Sequence, residues 1–101
     1  MIEHRKQQRF DRRLDIEYAV GETWKTGHTR NMSVGGLYIE SEDRFPLGTK
    51  LKLRFRVPTQ KDVIEVAAQV RWTEPTGFGV QFDGLRARDV WALGKFFGQP
   101  G

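Results

Sequence analysis

The chain has 101 residues, a hydrophobic fraction of 38%, a formal net charge of +4 and no cysteine. This length suits a single domain, and the lack of cysteine excludes disulfide bonds and thiolate-bound metals. Its two histidines, His4 and His28, lack the spacing of a helical metal pair, so no zinc site and no catalytic residues are expected. The sequence therefore favours a binding protein over an enzyme.

Residues 1–12 form a basic arm in our interpretation. The first 13 residues carry five basic side chains against two acidic ones, a net of +3. The arm attracts anionic partners, and its low apolar content predicts that it is mobile until a ligand orders it. The charged start does not match a signal peptide, and no apolar run approaches the roughly 20 residues that span a bilayer. We expect a cytoplasmic protein.

Apolar and polar residues then alternate with a period of two, which predicts strands. The predicted strands cover residues 13–20, 23–30, 37–39, 51–57, 64–72 and 78–82. Six short strands with tight connections indicate an antiparallel β-barrel, which leaves no exposed sheet edge. The barrel is expected to occupy residues 13–83.

The end of the chain changes period. Apolar residues recur at helical spacing from Leu85 to Phe97, which predicts a C-terminal helix over residues 84–97 with Asp83 as its N-cap. Trp91, Leu93, Phe96 and Phe97 are all expected to pack against the barrel.

One short segment, Asn31-Met32-Ser33-Val34-Gly35-Gly36, combines small polar side chains with two glycines. Asn31 and Ser33 are two apart, so on a strand they point to the same side. The glycines allow a tight turn or a close approach. This platform has no predicted cation of its own, so we expect the basic arm and the platform to hold one anionic, hydrogen-bonding ligand together.

Two motifs stand in a fixed order along the chain, Arg5-x-x-x-Arg9 before the first strand and Asn31-x-Ser33-x-x-Gly36 one hairpin later. With Leu14-Asp15-Ile16-Glu17-Tyr18, Gly36-Leu37-Tyr38-Ile39 and Gly77-Phe78-Gly79-Val80-Gln81-Phe82, they resemble the PilZ domain, the bacterial receptor for cyclic di-GMP. The resemblance implies a six-stranded barrel with a C-terminal helix, in agreement with the pattern.

The resemblance also implies a ligand site. It assigns contacts with cyclic di-GMP to Arg5, Arg9, Asn31, Ser33 and Gly36. Arginine can fork onto phosphate or onto guanine O6 and N7. Trp72 resembles the family's base-stacking aromatic, but alternation places it on the core face with Val70, and both interpretations stay open. With no cysteine and only two histidines, no metal and no cofactor besides the ligand is expected.

The arginine motif can be placed in two registers, because Arg9 and Arg13 are also four apart. We prefer Arg5 and Arg9, since Arg13 falls inside the predicted first strand and faces solvent there.

The resulting hypothesis is a non-enzymatic receptor that couples cyclic di-GMP to an unidentified partner protein in motility, biofilm or exopolysaccharide control. Two alternatives remain: a general nucleic-acid-binding barrel that uses its basic arm, and a PilZ-like adaptor that binds no ligand.

Overall fold

The computed structural model describes residues 8–99, which form six antiparallel strands and one helix. The elements are β1 (Asp15–Val20), β2 (Thr23–Met32), β3 (Gly36–Glu40), β4 (Lys50–Phe55), β5 (Ile64–Glu74), β6 (Gly77–Phe82) and α1 (Ala87–Phe97). The strands close into a barrel in the order β1-β2-β3-β6-β5-β4, with β1 paired to β4. The predicted six-stranded barrel with a C-terminal helix is confirmed.

The barrel interior holds the apolar residues that the alternation predicts. Ile16, Leu37, Ile39, Leu53, Ile64, Val66, Val70, Phe78, Val80 and Phe82 are all buried in one continuous core. Leu93, Phe96 and Phe97 of α1 join the same core. The helix therefore completes the packing at one end of the barrel, as expected for an amphipathic terminal helix.

The first strand begins later than the alternation predicts, at Asp15 instead of Arg13. The hydroxyl of Thr29 accepts a hydrogen bond from the Leu14 backbone N–H (2.8 Å) and donates one to the Arg12 carbonyl (2.7 Å). The Thr29 N–H still donates to the Leu14 carbonyl at 2.9 Å, so the side chain replaces only one of the two backbone bonds expected between these residues. Residues 10–14 run beside β2 as an irregular lead-in, and Arg13 is exposed as predicted.

The lead-in packs against the barrel, although the predicted arm was expected to lack docking contacts; its mobility without ligand stays a prediction. Phe10 exchanges two backbone hydrogen bonds with Met32 and stacks on Phe97 with ring centroids 4.6 Å apart. Arg12 donates to the carbonyls of Phe97 (3.2 Å) and Gln99 (2.8 Å). Charge alone does not reveal that one aromatic ring and one carbonyl-capping arginine are enough to dock residues 9–12. Residues 1–7 of the predicted arm lie outside the described residues.

The helix also begins later than predicted, and Asp83 is not its N-cap. The Asp83 N–H donates to the Ala67 carbonyl, which extends the β5–β6 pairing by one bond. Gly84 then turns the chain with a φ of 83°, a conformation that glycine adopts readily. Arg86 stands at the N-cap position without a side-chain capping bond, and α1 starts at Ala87.

Two bulges interrupt the ladders on either side of the β3–β6 pair. The β2–β3 register shifts between Thr29 and Asn31, and the β5–β6 register shifts between Val70 and Trp72. Each bulge inserts one residue, and a bulge reverses the side to which the following residues point. Both bulges lie next to the residues that the sequence singles out for ligand binding.

Candidate functional site

Four residues form a row across the outside of the barrel, one on each of four neighbouring strands. Asn31 of β2 pairs with Tyr38 of β3, Tyr38 pairs with Gly79 of β6, and Gly79 pairs with Trp72 of β5. Their neighbours Leu37, Val70 and Val80 point into the core. We call this surface, formed by Asn31, Tyr38, Gly79 and Trp72, the outer row.

Of the two interpretations of Trp72, the core face does not hold, and the bulge in β5 is the reason. Without the extra residue, Trp72 would follow Val70 into the barrel. With it, the half-buried indole lies outside, against Gly79. A Cβ built on Gly79 would stand 2.1 Å from two ring carbons of Trp72. The lack of a side chain at Gly79 is what lets the indole lie flat against the barrel wall.

Arg9 joins the two ends of the outer row. Its Nε–H donates to Asn31 Oδ1 at 2.8 Å, and its guanidinium carbon lies 5.2 Å from the centroid of the Trp72 ring. The neighbouring residue Phe10 fixes this position through its hydrogen bonds to Met32. Three of the residues that the sequence proposed, Arg9, Asn31 and Trp72, are therefore brought together.

The platform has a nearby cation, Arg30, which the sequence pattern did not reveal. Strict alternation with Asn31 would turn Arg30 into the barrel, but the bulge in β2 leaves both side chains outside. The Arg30 guanidinium lies 4.3 Å from the Tyr38 ring centroid and donates to Thr76 Oγ1 at 2.7 Å. Glu40 accepts hydrogen bonds from Arg13 and Arg30, which hold the pKa of its carboxyl below the usual value.

Ser33 and Gly36 lie in the turn after β2 and serve that turn. The buried Ser33 hydroxyl accepts from the Gly35 N–H at 3.1 Å, and the Ser33 N–H donates to the Gly36 carbonyl at 2.8 Å. A Cβ on Gly36 would stand 2.1 Å from the Val80 carbonyl oxygen. Ser33 comes after the last residue of β2, so it does not share a strand face with Asn31.

The remaining arginines near the N-terminus take separate positions. Arg13 pairs with Glu40 at 2.8 Å, whereas Arg12 reaches the C-terminal end of α1. Arg5 lies outside the described residues. Among the described members of the two possible motif registers, Arg9 alone contacts the outer row.

The chemistry of this surface suits a flat, polar ligand. The indole of Trp72 offers an aromatic face, the Arg9 guanidinium offers several donors and a planar cation, and the Asn31 amide offers both a donor and an acceptor. Within residues 8–99, no cluster of three or more metal-ligating side chains is present. In the same range, no helix is long and apolar enough to cross a membrane.

The key signal that sequence reasoning missed is the pair of bulges. A bulge leaves no clear mark on a period-two pattern, because one inserted residue only moves a later residue to the other face. Trp72 followed by Gly79 seven positions later carries a weaker hint, since an outward tryptophan needs a small neighbour on the adjoining strand.

Comparison with known proteins agrees with this architecture. A search of curated protein sequences gives no match. Among solved structures, the chain is similar to the Bacillus subtilis inhibitor of motility MotI/DgrA, with 26% identity and a TM-score of 0.81 over 95% of this chain. That alignment covers 50% of the MotI/DgrA chain, so the present chain spans about half of its length.

A second similar structure is the PilZ domain of CeSA from a cellulose-synthesising bacterium, with 16% identity and a TM-score of 0.69. The alignment covers 90% of this chain and 96% of that one, which shows a shared fold. The family model described as the PilZ domain matches residues 3–98. With the barrel, the terminal helix and this match in hand, the chain belongs to the PilZ domain family.

Proposed function

We propose that the domain is a receptor for cyclic di-GMP that binds its ligand on the outer row. The observation that carries the proposal is the position of Arg9, hydrogen-bonded to Asn31 and lying over the Trp72 ring. These side chains come from three separate segments and converge on one partly exposed surface. The family assignment supports this ligand class.

The ligand offers two guanines and two phosphates, and each has a partner in the proposed site. One guanine stacks on the indole of Trp72, and the Arg9 guanidinium forks onto a phosphate or onto guanine O6 and N7. The Asn31 amide accepts from the donor edge of a guanine. Asn31 Oδ1 has two lone pairs, so it can accept from a guanine and from Arg9 at the same time. The Arg9 guanidinium lies over the Trp72 ring, so it moves aside when a guanine stacks there.

Arg5, Ser33 and Gly36 complete the set that the family resemblance implies. We propose that Arg5 supplies a second guanidinium to the phosphates. Ser33 and Gly36 contribute by fixing the turn that follows Asn31, because their polar atoms and backbone are engaged there.

The domain has no chemistry to perform in this proposal, so its output is a changed surface that a partner protein reads. Of the two similar structures, MotI/DgrA is an inhibitor of motility, and the CeSA domain comes from a cellulose-synthesising bacterium. We infer a comparable role in motility, biofilm or exopolysaccharide control for a cytoplasmic receptor. Since the chain spans half of MotI/DgrA, that role is proposed for this domain alone.

Titration calorimetry with cyclic di-GMP tests the proposal directly. We expect saturable binding by the wild-type chain and a loss of about 10- to 100-fold in Arg9→Ala, because a charge-assisted hydrogen bond contributes about 1.5–3 kcal/mol. Arg13→Ala is the matched control, since Arg13 is exposed and pairs with Glu40. Its affinity should change by less than about twofold.

The same titration separates the alternatives. A general nucleic-acid-binding barrel would prefer a single-stranded oligonucleotide, and its affinity would fall steeply with salt because several phosphates are neutralised. A ligand with two phosphates gives a shallow salt dependence. No binding of cyclic di-GMP by the wild-type chain would leave the adaptor function, and equal losses in Arg9→Ala and Arg13→Ala would reject the site.

A further inference from the structure

The outward face of α1 is less polar than a solvated helix face normally is. Trp91 is 64% exposed and Val90 is 42% exposed, although the sequence pattern expects Trp91 to be buried with Leu93. Ala87, Trp91 and Gly94 follow one another along the outward side at helical spacing. We call Ala87, Val90, Trp91 and Gly94 the helix face. Clustered exposed apolar side chains of this kind mark interaction surfaces.

Gly94 has no explanation inside the described part of the chain. A Cβ at this position would meet nothing within 4 Å, apart from its own helix backbone, and its φ is not positive. Glycine destabilises the interior of a helix more than any other residue except proline. A glycine that the fold does not require, one turn from an exposed tryptophan, allows another backbone to approach closely at this point.

Two basic residues and one acidic residue lie around the helix face. Arg88 and Lys95 flank it, and the Lys95 ammonium lies 4.7 Å from the Trp91 ring centroid. Asp89 is the one acidic residue of α1, and it is buried on the inner side of the helix. Asp62 from the β4–β5 loop pairs with Arg88 at 2.7 Å. Asp62 offsets the charge of Arg88, so the basic character of the helix face rests on Lys95 beside Trp91.

We propose that the helix face docks a helix of a partner protein whose contacting surface is acidic at its edges and apolar at its centre. The small residues Ala87 and Gly94 permit close helix packing, and Trp91 is a typical interface anchor. Lys95 selects against basic partners. A second copy of this chain is a poor occupant, because its helix face would bring another Lys95 and no acidic residue of α1, since Asp89 is buried. The proposal does not depend on cyclic di-GMP binding.

A displayed library of helical miniproteins with one randomised face tests this proposal. The library is selected on the wild-type chain and counter-selected on Trp91→Ala, whose fold is checked by its melting temperature. We expect enriched binders with Asp and Glu flanking a stripe of Leu, Phe and Ala. Their affinity should fall at least tenfold in Trp91→Ala and in Lys95→Glu. Absence of enrichment over Trp91→Ala, or a neutral or basic consensus, would overturn the proposal.

Gly94→Ala separates docking from stability. The substitution should raise the melting temperature by about 4 °C or more, as expected for a glycine removed from a helix interior. The selected miniproteins should nevertheless bind it at least tenfold more weakly, because a methyl group blocks close approach. Unchanged miniprotein affinity would contradict the role given to Gly94.

Two other occupants of the helix face, a second copy of the chain and a lipid surface, are tested separately. Sedimentation of the wild-type chain should show a monomer, and a dimer that Trp91→Ala abolishes would replace the partner helix with a second copy. Vesicles of phosphatidylcholine and phosphatidylglycerol should not bind the helix face. Vesicle binding that depends on Trp91 would overturn the proposal in favour of a lipid surface.

Discussion

Two tryptophans on the outside of this domain, Trp72 and Trp91, each have a glycine and a basic side chain nearby. They differ in whether the space beside the glycine is filled. Trp72 lies against Gly79 with the Arg9 guanidinium over its ring, and Trp91 lies near Gly94 with the Lys95 ammonium over its ring. The indole of Trp72 fills the space that a Gly79 side chain would take. The space beside Gly94 is open.

At Trp72 the chain fills the space beside Gly79 with its own side chain. At Trp91 the space beside Gly94 is open to a partner. Gly79 is required by an internal contact, so its replacement disturbs the fold and the proposed ligand site together. Gly94 is required by no described contact, so its replacement acts on whatever binds from outside. The same substitution of glycine by alanine therefore has opposite expected effects on stability at the two positions.

Gly79→Ala should have the larger effect of the pair. The new methyl group would overlap the Trp72 ring, so the indole must move away from the barrel wall. We expect a destabilisation of about 1–3 kcal/mol, typical of overpacking, and an affinity for cyclic di-GMP lowered by about tenfold through loss of one stacking partner. Denaturant unfolding and calorimetry measure the two effects.

Trp72→Phe provides the matched comparison for this variant. A smaller ring leaves room for a methyl group, so Gly79→Ala should cost less stability in the Trp72→Phe background than in the wild type. Additive effects of the two substitutions would show that the Gly79–Trp72 contact does not limit stability.

Asp89, in the first turn of α1, makes the stability of the protein depend on pH. Burial acts to raise the pKa of Asp89, but hydrogen bonds from Arg86 and Gln60 outweigh it and hold the pKa below the usual value. Asp89 therefore binds a proton less readily in the folded protein than in the unfolded chain, where the pKa of an aspartate is about 3.9. Stability from Asp89 is complete above that pH and is lost as the pH falls through the lower folded value.

Thermal and denaturant unfolding of the wild type and Asp89→Asn from about pH 6 to about pH 2 would reveal this contribution. We expect the wild type to be more stable by about 2 kcal/mol near neutral pH, as for hydrogen bonds to a buried charge, with the difference shrinking in acid. Asp43 and Glu40 also have lowered pKa values, but they are common to both proteins. A difference that stays constant with pH would contradict the ionised state of Asp89.

The smallest expected effect is that of Asn31→Asp on ligand binding. A carboxylate accepts two guanine donors at once, whereas the Asn31 amide offers one acceptor oxygen. The nearby Arg9 offsets repulsion from the phosphates. We expect affinity to be kept or modestly improved, and calorimetry on the folded variant checks it. A loss greater than about tenfold would mean that Asn31 donates a hydrogen bond to the ligand.

The fold followed from the sequence because its signals are local and repeated. Alternation along Leu51, Leu53 and Phe55 specifies a strand wherever the strand is placed, and the helical spacing from Val90 to Phe97 specifies an amphipathic helix. The site was only partly predictable. Arg9 and Asn31 were identified by their motifs, and their mutual hydrogen bond depends on the docking of Phe10.

Trp91 was assigned to the core, and the core face was one of two interpretations of Trp72, because both sit next to core residues in the periodic pattern. Their true positions depend on a single inserted residue at Arg71 and on the direction in which α1 lies on the barrel. Neither property is encoded in a short window of sequence. The sequence therefore predicts least well which side of a strand or helix faces the core, and the structure is most informative there.

The contacts of Arg12 also bear on the order in which parts of the domain fold. Its partners Phe97 and Gln99 stand 85 and 87 positions later in the sequence. Although the lead-in leaves the ribosome early, it cannot find these carbonyls until almost the whole domain has been made. A contact between such distant positions carries a large loop-closure cost and is expected to form late in folding. Arg9 directly precedes this lead-in, and its neighbour Phe10 stacks on Phe97 of the last helix. We therefore expect the proposed messenger site to be completed late in folding as well.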